Sequence, residues 1–151
     1  MKKAVHISVQ IKVNAPAHAV WQKLTDWESQ GDWMLFTDVT ATKPNSAADQ
    51  IGNQITAFTG LRLFKKLRFG LLDHMRVTKW ETGRVCEVDH YGKWLKGFGR
   101  FELIQITANS CQLNWYERID YPVLLSRLTK PFTKFAVFIS LVRFRRQFSN
   151  Y

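Results

Sequence analysis

Residues 25–33 of this chain read TDWESQGDW, so two tryptophans, Trp27 and Trp33, stand among Thr, Asp, Glu, Ser, Gln and Gly. A tryptophan brings roughly 150–250 Å² of surface to bury, worth about 4–6 kcal/mol as an upper bound at ~25 cal/mol per Å². In a solvent-exposed loop, two indole rings would bury no surface and would contribute nothing to the stability of the fold. The stretch therefore predicts that an apolar interior lies beneath it.

The chain before this stretch predicts one strand and one helix. Alternate residues from 5 to 13 are apolar, which is the period of a strand with one buried face: Val5, Ile7, Val9, Ile11 and Val13. Pro16 suits a first helical turn, and Val20, Leu24 and Trp27 form a helical stripe that ends before Gly31.

The chain after Gln54 is rich in strand signals, followed by one long helix. The strand-like segments are QITAFTG, DHMRVTKW, RVCEVDHYG, LKGFGRFELIQIT and CQLNWYERIDY. Short turns such as ETG, GKW and ANS separate most of them, so consecutive strands should be antiparallel neighbours. The segment LLSRLTKPFTKFAVFISLVRFRRQF predicts a C-terminal helix, with Pro131 near its start or kinking it. The helix should lie across the apolar face of the curved sheet, which gives an α+β fold.

Three stretches carry a resemblance to a known family. NAPAHAVWQKLTDWESQGDWMLFTDV, VTKWETGRVCEVDHYG, and GFGRFELIQ followed by LNWYERIDYP resemble the polyketide cyclase/dehydrase and lipid-transport branch of the START-like (Bet v 1-like, SRPBCC) superfamily. The resemblance covers nearly the whole chain and implies one domain over residues 1–151 with a helix-grip fold, in which the sheet wraps the C-terminal helix around a deep apolar cavity. It places Trp27 and Trp33 where two short helices close one end of the grip, as core plugs or as pocket lining. Family members bind lipids, sterols, quinones, hormones or polyketides, and only some catalyse reactions, so the fold does not give the function.

Charge and composition narrow the partners only partly. The net charge is +10, and residues 1–60 hold five Lys and five Asp/Glu, whereas residues 61–151 hold 17 Lys/Arg and seven Asp/Glu. Such a surface attracts phosphate, lipid headgroups or acidic protein, or only keeps a protein soluble. The N-terminus lacks an apolar signal region and the longest apolar run, FAVFISLV, is too short to span a bilayer, so we expect a cytoplasmic protein. Cys86 and Cys111 are expected to be small core residues.

The most informative polar residue is Glu117, which falls on the apolar face of its strand. That face is formed by Cys111, Leu113, Trp115, Glu117 and Ile119. An unpaired buried carboxylate is costly, so Glu117 should pair with a cation, accept hydrogen bonds or take up a proton more easily. His90 is one candidate partner. The alternatives are a bulge that turns Glu117 outward, or an internal pair with Arg100 or Arg76.

These residues support two functions from different classes. The first is binding or transport of a hydrophobic small molecule, such as a lipid, a quinone or a polyketide-like compound, in the internal cavity. The second is a cyclase or aromatase-type enzyme that uses Glu117 and His90 as acid/base groups, although no catalytic residue can be assigned. The residues predicted to line the cavity are Trp33, Met34, Phe36, Met75, His90, Phe101, Trp115 and Glu117.

Other signals are weaker. KGFGR lacks the context of a dinucleotide loop, and Gly97 and Gly99 instead indicate a bend or a close approach of the helix. The four histidines have no ligand spacing and no catalytic triad or P-loop occurs, so no metal and no cofactor are predicted. Nucleic acid is an unfavoured partner because the chain has no KH-type loop or RNP aromatic signature.

Two surfaces raise the question of further contacts. In LRLFKKLRF, residues 61–69, basic residues alternate with Leu and Phe where the family has a shorter connection. The segment is either a hairpin whose apolar residues face the cavity or a lip on an anionic membrane, where each Lys or Arg contributes ~1 kcal/mol. The lip would make the protein peripheral to the membrane. It would consist of Leu63, Phe64, Lys65, Lys66 and Phe69.

The C-terminal helix carries two apolar stripes on nearly opposite sides. Leu128, Phe132, Phe135, Ile139 and Val142 form the stripe that we expect to face the sheet. Val137, Leu141, Phe144 and Phe148 form the second. It is either covered by the curved sheet or forms a homodimer interface or a membrane-facing patch.

Overall fold

The computed structural model describes residues 2–64, 67–93 and 95–150, with the backbone alone at 2–3, 62–64, 67–69 and 121–130. The described elements are seven strands, one α-helix near the N-terminus, one short 3₁₀ helix and one long C-terminal helix. In chain order they are β1 Lys2–Val13, α1 Ala17–Leu24, the 3₁₀ helix Glu28–Asp32, β2 Thr37–Ala41, β3 Gln54–Phe64, β4 Leu67–Glu81, β5 Val85–Tyr91, β6 Lys96–Thr107, β7 Ser110–Pro122 and α2 Val123–Arg146.

The seven strands form one antiparallel sheet in the order β1-β7-β6-β5-β4-β3-β2. Each strand from β2 to β7 lies beside its neighbour in sequence, as the short turns predict. The first strand forms one edge of the sheet and pairs with the last strand, from Lys2 opposite Pro122 to Val13 opposite Cys111. The α+β helix-grip fold expected from the sequence is therefore the fold observed.

Strand β1 confirms the alternation that predicted it. Its inward residues are nearly inaccessible, with exposures of 4, 1, 6, 6 and 0% for Val5, Ile7, Val9, Ile11 and Val13. Burying five branched side chains on one face fixes the register, because a slip by one residue would turn all of them outward.

Helix α1 covers one end of the sheet. Its first backbone N–H, at Ala17, donates to Gln105 Oε1 at 2.7 Å and ties the helix to the end of β6. Trp21 packs against Trp80 and Phe101, with ring centroids 4.9 and 5.7 Å apart. The predicted stripe is also buried, because Val20 and Leu24 have no exposed surface. This aromatic cluster fills the closed end of the grip.

The orientation predicted for helix α2 is wrong. Leu141, Phe144 and Phe148 of the second stripe are only 1, 0 and 6% exposed, whereas Phe132 and Phe135 of the first are 74 and 62% exposed. The Phe144 ring lies 4.8 Å from that of Trp33. The second stripe is therefore core, and it is neither a dimer interface nor a membrane-facing patch. The side chain of Leu128 lies outside the described residues.

The segment LRLFKKLRF continues the hairpin between β3 and β4. Backbone pairing joins Leu61 to Phe69 and Phe64 to Leu67. Lys65 and Lys66, and the side chains of Leu63, Phe64 and Phe69, lie outside the described residues, so membrane contact by this segment stays a prediction. Cys86 and Cys111 are both free and buried, as expected.

Candidate functional site

A cavity of about 390 Å³ lies between the concave face of the sheet and residues 132–141 of α2. This volume falls within the range of about 300–1,000 Å³ that is typical of small-molecule sites. Its walls are mostly apolar and come from six strands, β2 to β7, from the 3₁₀ segment and from α2. The opening lies where lining residues are also exposed, at Phe132 of α2 and Thr59 of β3.

Seven of the eight residues predicted to line the cavity do so: Trp33, Met34, Met75, His90, Phe101, Trp115 and Glu117. The prediction for Phe36 is wrong. Phe36 is 66% exposed and has a backbone φ of 53° immediately before β2. Because side chains alternate along a strand, Thr37 takes the inward position and Phe36 points to solvent.

Both tryptophans of TDWESQGDW are core residues and cavity lining at once. Trp27 is 3% exposed and Trp33 is 1% exposed, and both contribute to the wall. The Trp27 indole Nε1 donates to Gln50 Oε1 at 3.4 Å. Among the described residues, the buried Nε1 of Trp33 has no acceptor.

The polar end of the cavity is built around His90, which is 7% exposed. Its Nδ1 lies 2.8 Å from Oδ2 of Asp73 on the neighbouring strand β4. His90 Nε2 and Asp73 Oδ1 are buried and have no partner within the described part of the chain. Sequence reasoning missed Asp73, although it shares a strand face with Met75 and Val77, which is the signal that identified Glu117.

Glu117 is deep in the fold but does not pair directly with His90, contrary to that prediction. The Trp115 indole Nε1 donates to Glu117 Oε1 at 2.9 Å. The alternative cation partners are engaged elsewhere, because Arg100 lies 3.6 Å from Glu87 and 3.2 Å from Glu102. The other arginine considered, at position 76, lies over the Tyr91 ring.

Gly99 explains how these groups share one space. It pairs with Val88 on β5 and with Glu117 on β7, so all three face the cavity. A Cβ at Gly99 would lie 3.2 Å from His90 Nε2 and 2.9 Å from Val88 Cγ2. The close neighbours of Gly99 are therefore the side chains of Val88 and His90, and not the helix, whose approach was one of the two alternatives predicted, the other being a bend. At Gly97, a Cβ would instead clash with the backbone carbonyl of Arg118.

Burial and neighbouring charges change the protonation of both groups. Burial lowers the pKa of His90, but the hydrogen bond and charge of Asp73, with the charges of Glu117 and Asp89, outweigh it and leave the pKa above its ordinary value. Burial raises the pKa of Glu117, and the charge of His90 and the Trp115 hydrogen bond offset only part of this rise. Both groups therefore hold a proton to higher pH than they would in water.

This arrangement can donate or accept protons inside an apolar container. Asp73 holds the Nδ1–H of His90, so Nε2 is the atom that gains or loses a proton. In the described ranges, no group of three or more His, Cys, Asp or Glu side chains is arranged to hold a metal ion.

Solved structures with the same fold come from several kinds of protein. A START superfamily protein from Mycobacterium smegmatis aligns at a TM-score of 0.75 and 11% identity, over 95% of this chain and 96% of that one. The ZhuI aromatase/cyclase from Streptomyces sp. R1128 aligns at 0.74 and 13%, over 96% of this chain and 93% of that one. Norcoclaurine synthase from Thalictrum flavum aligns at 0.67 and 8%, over 99% of this chain and 96% of that one. At these identities the likeness shows the fold alone, and it confirms the helix-grip architecture expected from the sequence.

No family model matches the chain, and no curated protein matches its sequence. Among the described residues, no helix has both the length and the apolar character needed to cross a bilayer.

Proposed function

We propose that this protein binds a hydrophobic small molecule in the cavity between the sheet and α2. The observation that carries the proposal is the cavity of about 390 Å³, because folded interiors otherwise hold few voids larger than a water molecule. Aromatic and aliphatic side chains form most of its wall, and Asp73, His90 and Glu117 give it one polar end. Such a site suits an apolar ligand with few polar atoms.

The wall offers flat surfaces for a ring system. Phe101 and Trp115 lie with ring centroids 5.9 Å apart and nearly parallel, and Trp33 meets Trp115 edge-on at 6.4 Å. An aromatic or alicyclic ligand gains dispersion and quadrupole contacts against such rings. These contacts support a compact, ring-containing ligand.

A specific observation favours an acid/base enzyme as the second candidate. The Asp73–His90 pair resembles the base arrangement of many enzymes, in which a carboxylate fixes the imidazole and leaves Nε2 free for the substrate. His90 Nε2 would accept a proton from a bound substrate, and protonated Glu117 would return one at another position. Glu117→Gln separates the two functions, because a carrier should keep most of its affinity whereas such an enzyme should lose turnover.

The cavity itself is tested by filling it. N-phenyl-1-naphthylamine is a neutral dye whose fluorescence rises in apolar surroundings, and we expect it to bind the folded protein with about one-to-one stoichiometry. Ala136 lines the cavity from α2, so Ala136→Trp should weaken dye binding at least tenfold. Lys134→Trp adds the same ring at an exposed position of the same helix and should leave binding unchanged.

Thermal unfolding of each variant shows that it is folded before the dye is added. Absence of saturable dye binding by the wild-type protein would overturn the proposed function. Equal binding by the Ala136→Trp and Lys134→Trp variants would overturn it as well, because the dye would then bind outside the cavity.

A further inference from the structure

The polar end of the cavity contains two groups that face a common gap without touching. His90 Nε2 is buried and has no hydrogen-bond partner among the described residues. Glu117 is the cross-strand neighbour of Gly99, and the missing side chain of Gly99 leaves open the space beside His90 Nε2. Because β6 lies between β5 and β7, His90 and Glu117 flank Gly99 from its two sides, and a small polar ligand atom over Gly99 lies beside both side chains.

The gap requires a ligand atom with particular hydrogen-bonding properties. Asp73 holds Nδ1–H in place, so Nε2 is a donor when His90 is charged and an acceptor when it is neutral. A carboxyl group has the same two roles, since Glu117 accepts when ionised and donates when protonated. When one proton is shared between the two groups, the gap always presents one donor and one acceptor.

Resting on the proposed function, we infer that the ligand carries a hydroxyl group, phenolic, enolic or alcoholic, which lies over Gly99 and bridges His90 Nε2 and Glu117. A hydroxyl both donates and accepts, so it satisfies the pair whichever group holds the proton. A ketone or ether only accepts. A carboxylate also only accepts, and it would add a further buried negative charge beside Asp73 and Glu117.

A competition experiment measures this preference with two ligands on one scaffold. 2-Naphthol and 2-methoxynaphthalene differ only by the methyl group that removes the O–H, and a phenol-type hydroxyl stays neutral at pH 7. Each displaces N-phenyl-1-naphthylamine from the wild-type protein and from variants. The quantity compared is the ratio of the two affinities, because differences in hydrophobicity between the ligands cancel when the same ratio is taken in each protein.

Replacement of Glu117 should change this ratio according to the chemistry of the new side chain. Glu117→Met keeps the length and removes the hydrogen bond, so the preference for 2-naphthol should fall about tenfold, the effect of one net hydrogen bond. Glu117→Gln keeps one donor and one acceptor and should change the ratio less than about twofold. Lys134→Trp, at an exposed position of α2 outside the cavity wall, should also leave it unchanged.

A second variant tests the gap without changing either polar group. Gly99→Ala places a methyl group beside His90 Nε2 and should reduce the preference for 2-naphthol about as much as Glu117→Met. An unchanged ratio in both variants, with both ligands still displacing the dye, would overturn the hydroxyl inference and leave the proposed function standing. If the dye does not bind the wild-type protein, the proposed function fails, and the inference fails with it.

Discussion

Two stretches of helix α2 lie against the same sheet but meet opposite surroundings. Near the end of the helix, Phe144 is fully buried against Trp33 and Phe148. Earlier in the helix, Phe132 and Phe135 are more than half exposed, and Phe132 stands at the opening of the cavity. At one end of the grip, around Phe144, side chains fill the interior, and we call this the packed end. At the other end, around Phe132, the interior holds the cavity, and we call this the hollow end.

The difference follows from which aromatic residues reach the helix. Near Phe144 the short 3₁₀ segment brings in Trp33, and helix α1 brings Trp21 over Phe101. Phe132 and Thr133 line the cavity instead. The packed end should therefore determine stability, and the hollow end should determine binding.

The largest expected effect comes from the same substitution at the two ends. Phe144→Ala should lower the free energy of unfolding by about 3–5 kcal/mol, because it leaves a void in a packed core. Phe132→Ala should change it by less than about 0.5 kcal/mol, because the side chain is 74% exposed. Urea unfolding of both variants measures the difference. Equal effects would show that the two ends do not differ in packing.

A smaller effect is expected at the polar end of the hollow. The pKa of His90 is raised in the folded state, so its stabilisation is complete below the ordinary pKa of about 6.5 and is lost as pH rises through the folded value. Asp73→Asn removes the carboxylate that raises this pKa most. The variant should lose about 1–3 kcal/mol of unfolding free energy at pH 6 and clearly less at pH 9.

Urea unfolding at both pH values tests this, and the NMR titration of His90 should have a lower midpoint in the variant. Asp89→Asn, at an exposed position on β5, is the control and should shift that midpoint less. A loss that is the same at pH 6 and pH 9 would contradict a charge interaction between Asp73 and His90.

The smallest expected effect has the opposite sign. The pKa of Glu117 is also raised, so the folded state is favoured at low pH and is penalised as pH rises from about 4.3 through the folded value. Glu117→Gln has no proton to lose. It should be more stable than the wild-type protein by about 1 kcal/mol at pH 8, with the gain disappearing near pH 4.

Glu102→Gln serves as the control, because Glu102 lies on neighbouring strand β6 beside Arg100 and should give no such gain. Thermal or urea unfolding across this pH range measures both variants. A Glu117→Gln variant that is less stable at pH 8 would show that Glu117 stabilises the fold as an anion.

The sequence predicted the fold more completely than it predicted the polar site inside the cavity. Alternation in β1 and the resemblance of the Trp27–Trp33 segment were sufficient for the fold, because both depend on local patterns of burial. The helical period showed that α2 has two apolar stripes, but it could not show which of them faces the sheet, because both are apolar. Only the position of Trp33 against Phe144 makes one of them the inner face.

The polar site shows a similar limit. Glu117 and His90 could be placed on inward faces by alternation, and Asp73 could have been found by the same rule. Their pairing could not, because it depends on the register between β4 and β5 and on the space that Gly99 leaves. Phe36 was misplaced because one residue at positive φ changes which side chain first enters the alternation of β2.

The pairing of β1 with β7 also governs how the chain folds during synthesis. Val13 pairs with Cys111 and Lys2 pairs with Pro122, so β1 cannot pair until β7 has been synthesised. At about 5–20 residues per second, β1 stays without its partner for roughly 5–20 s. Throughout that interval its row of Val and Ile side chains is available for non-native contacts. Sheets whose paired strands lie far apart in the sequence fold slowly, on the millisecond to second scale. Among the described strands, β1 is therefore the one that stays longest without its partner during synthesis.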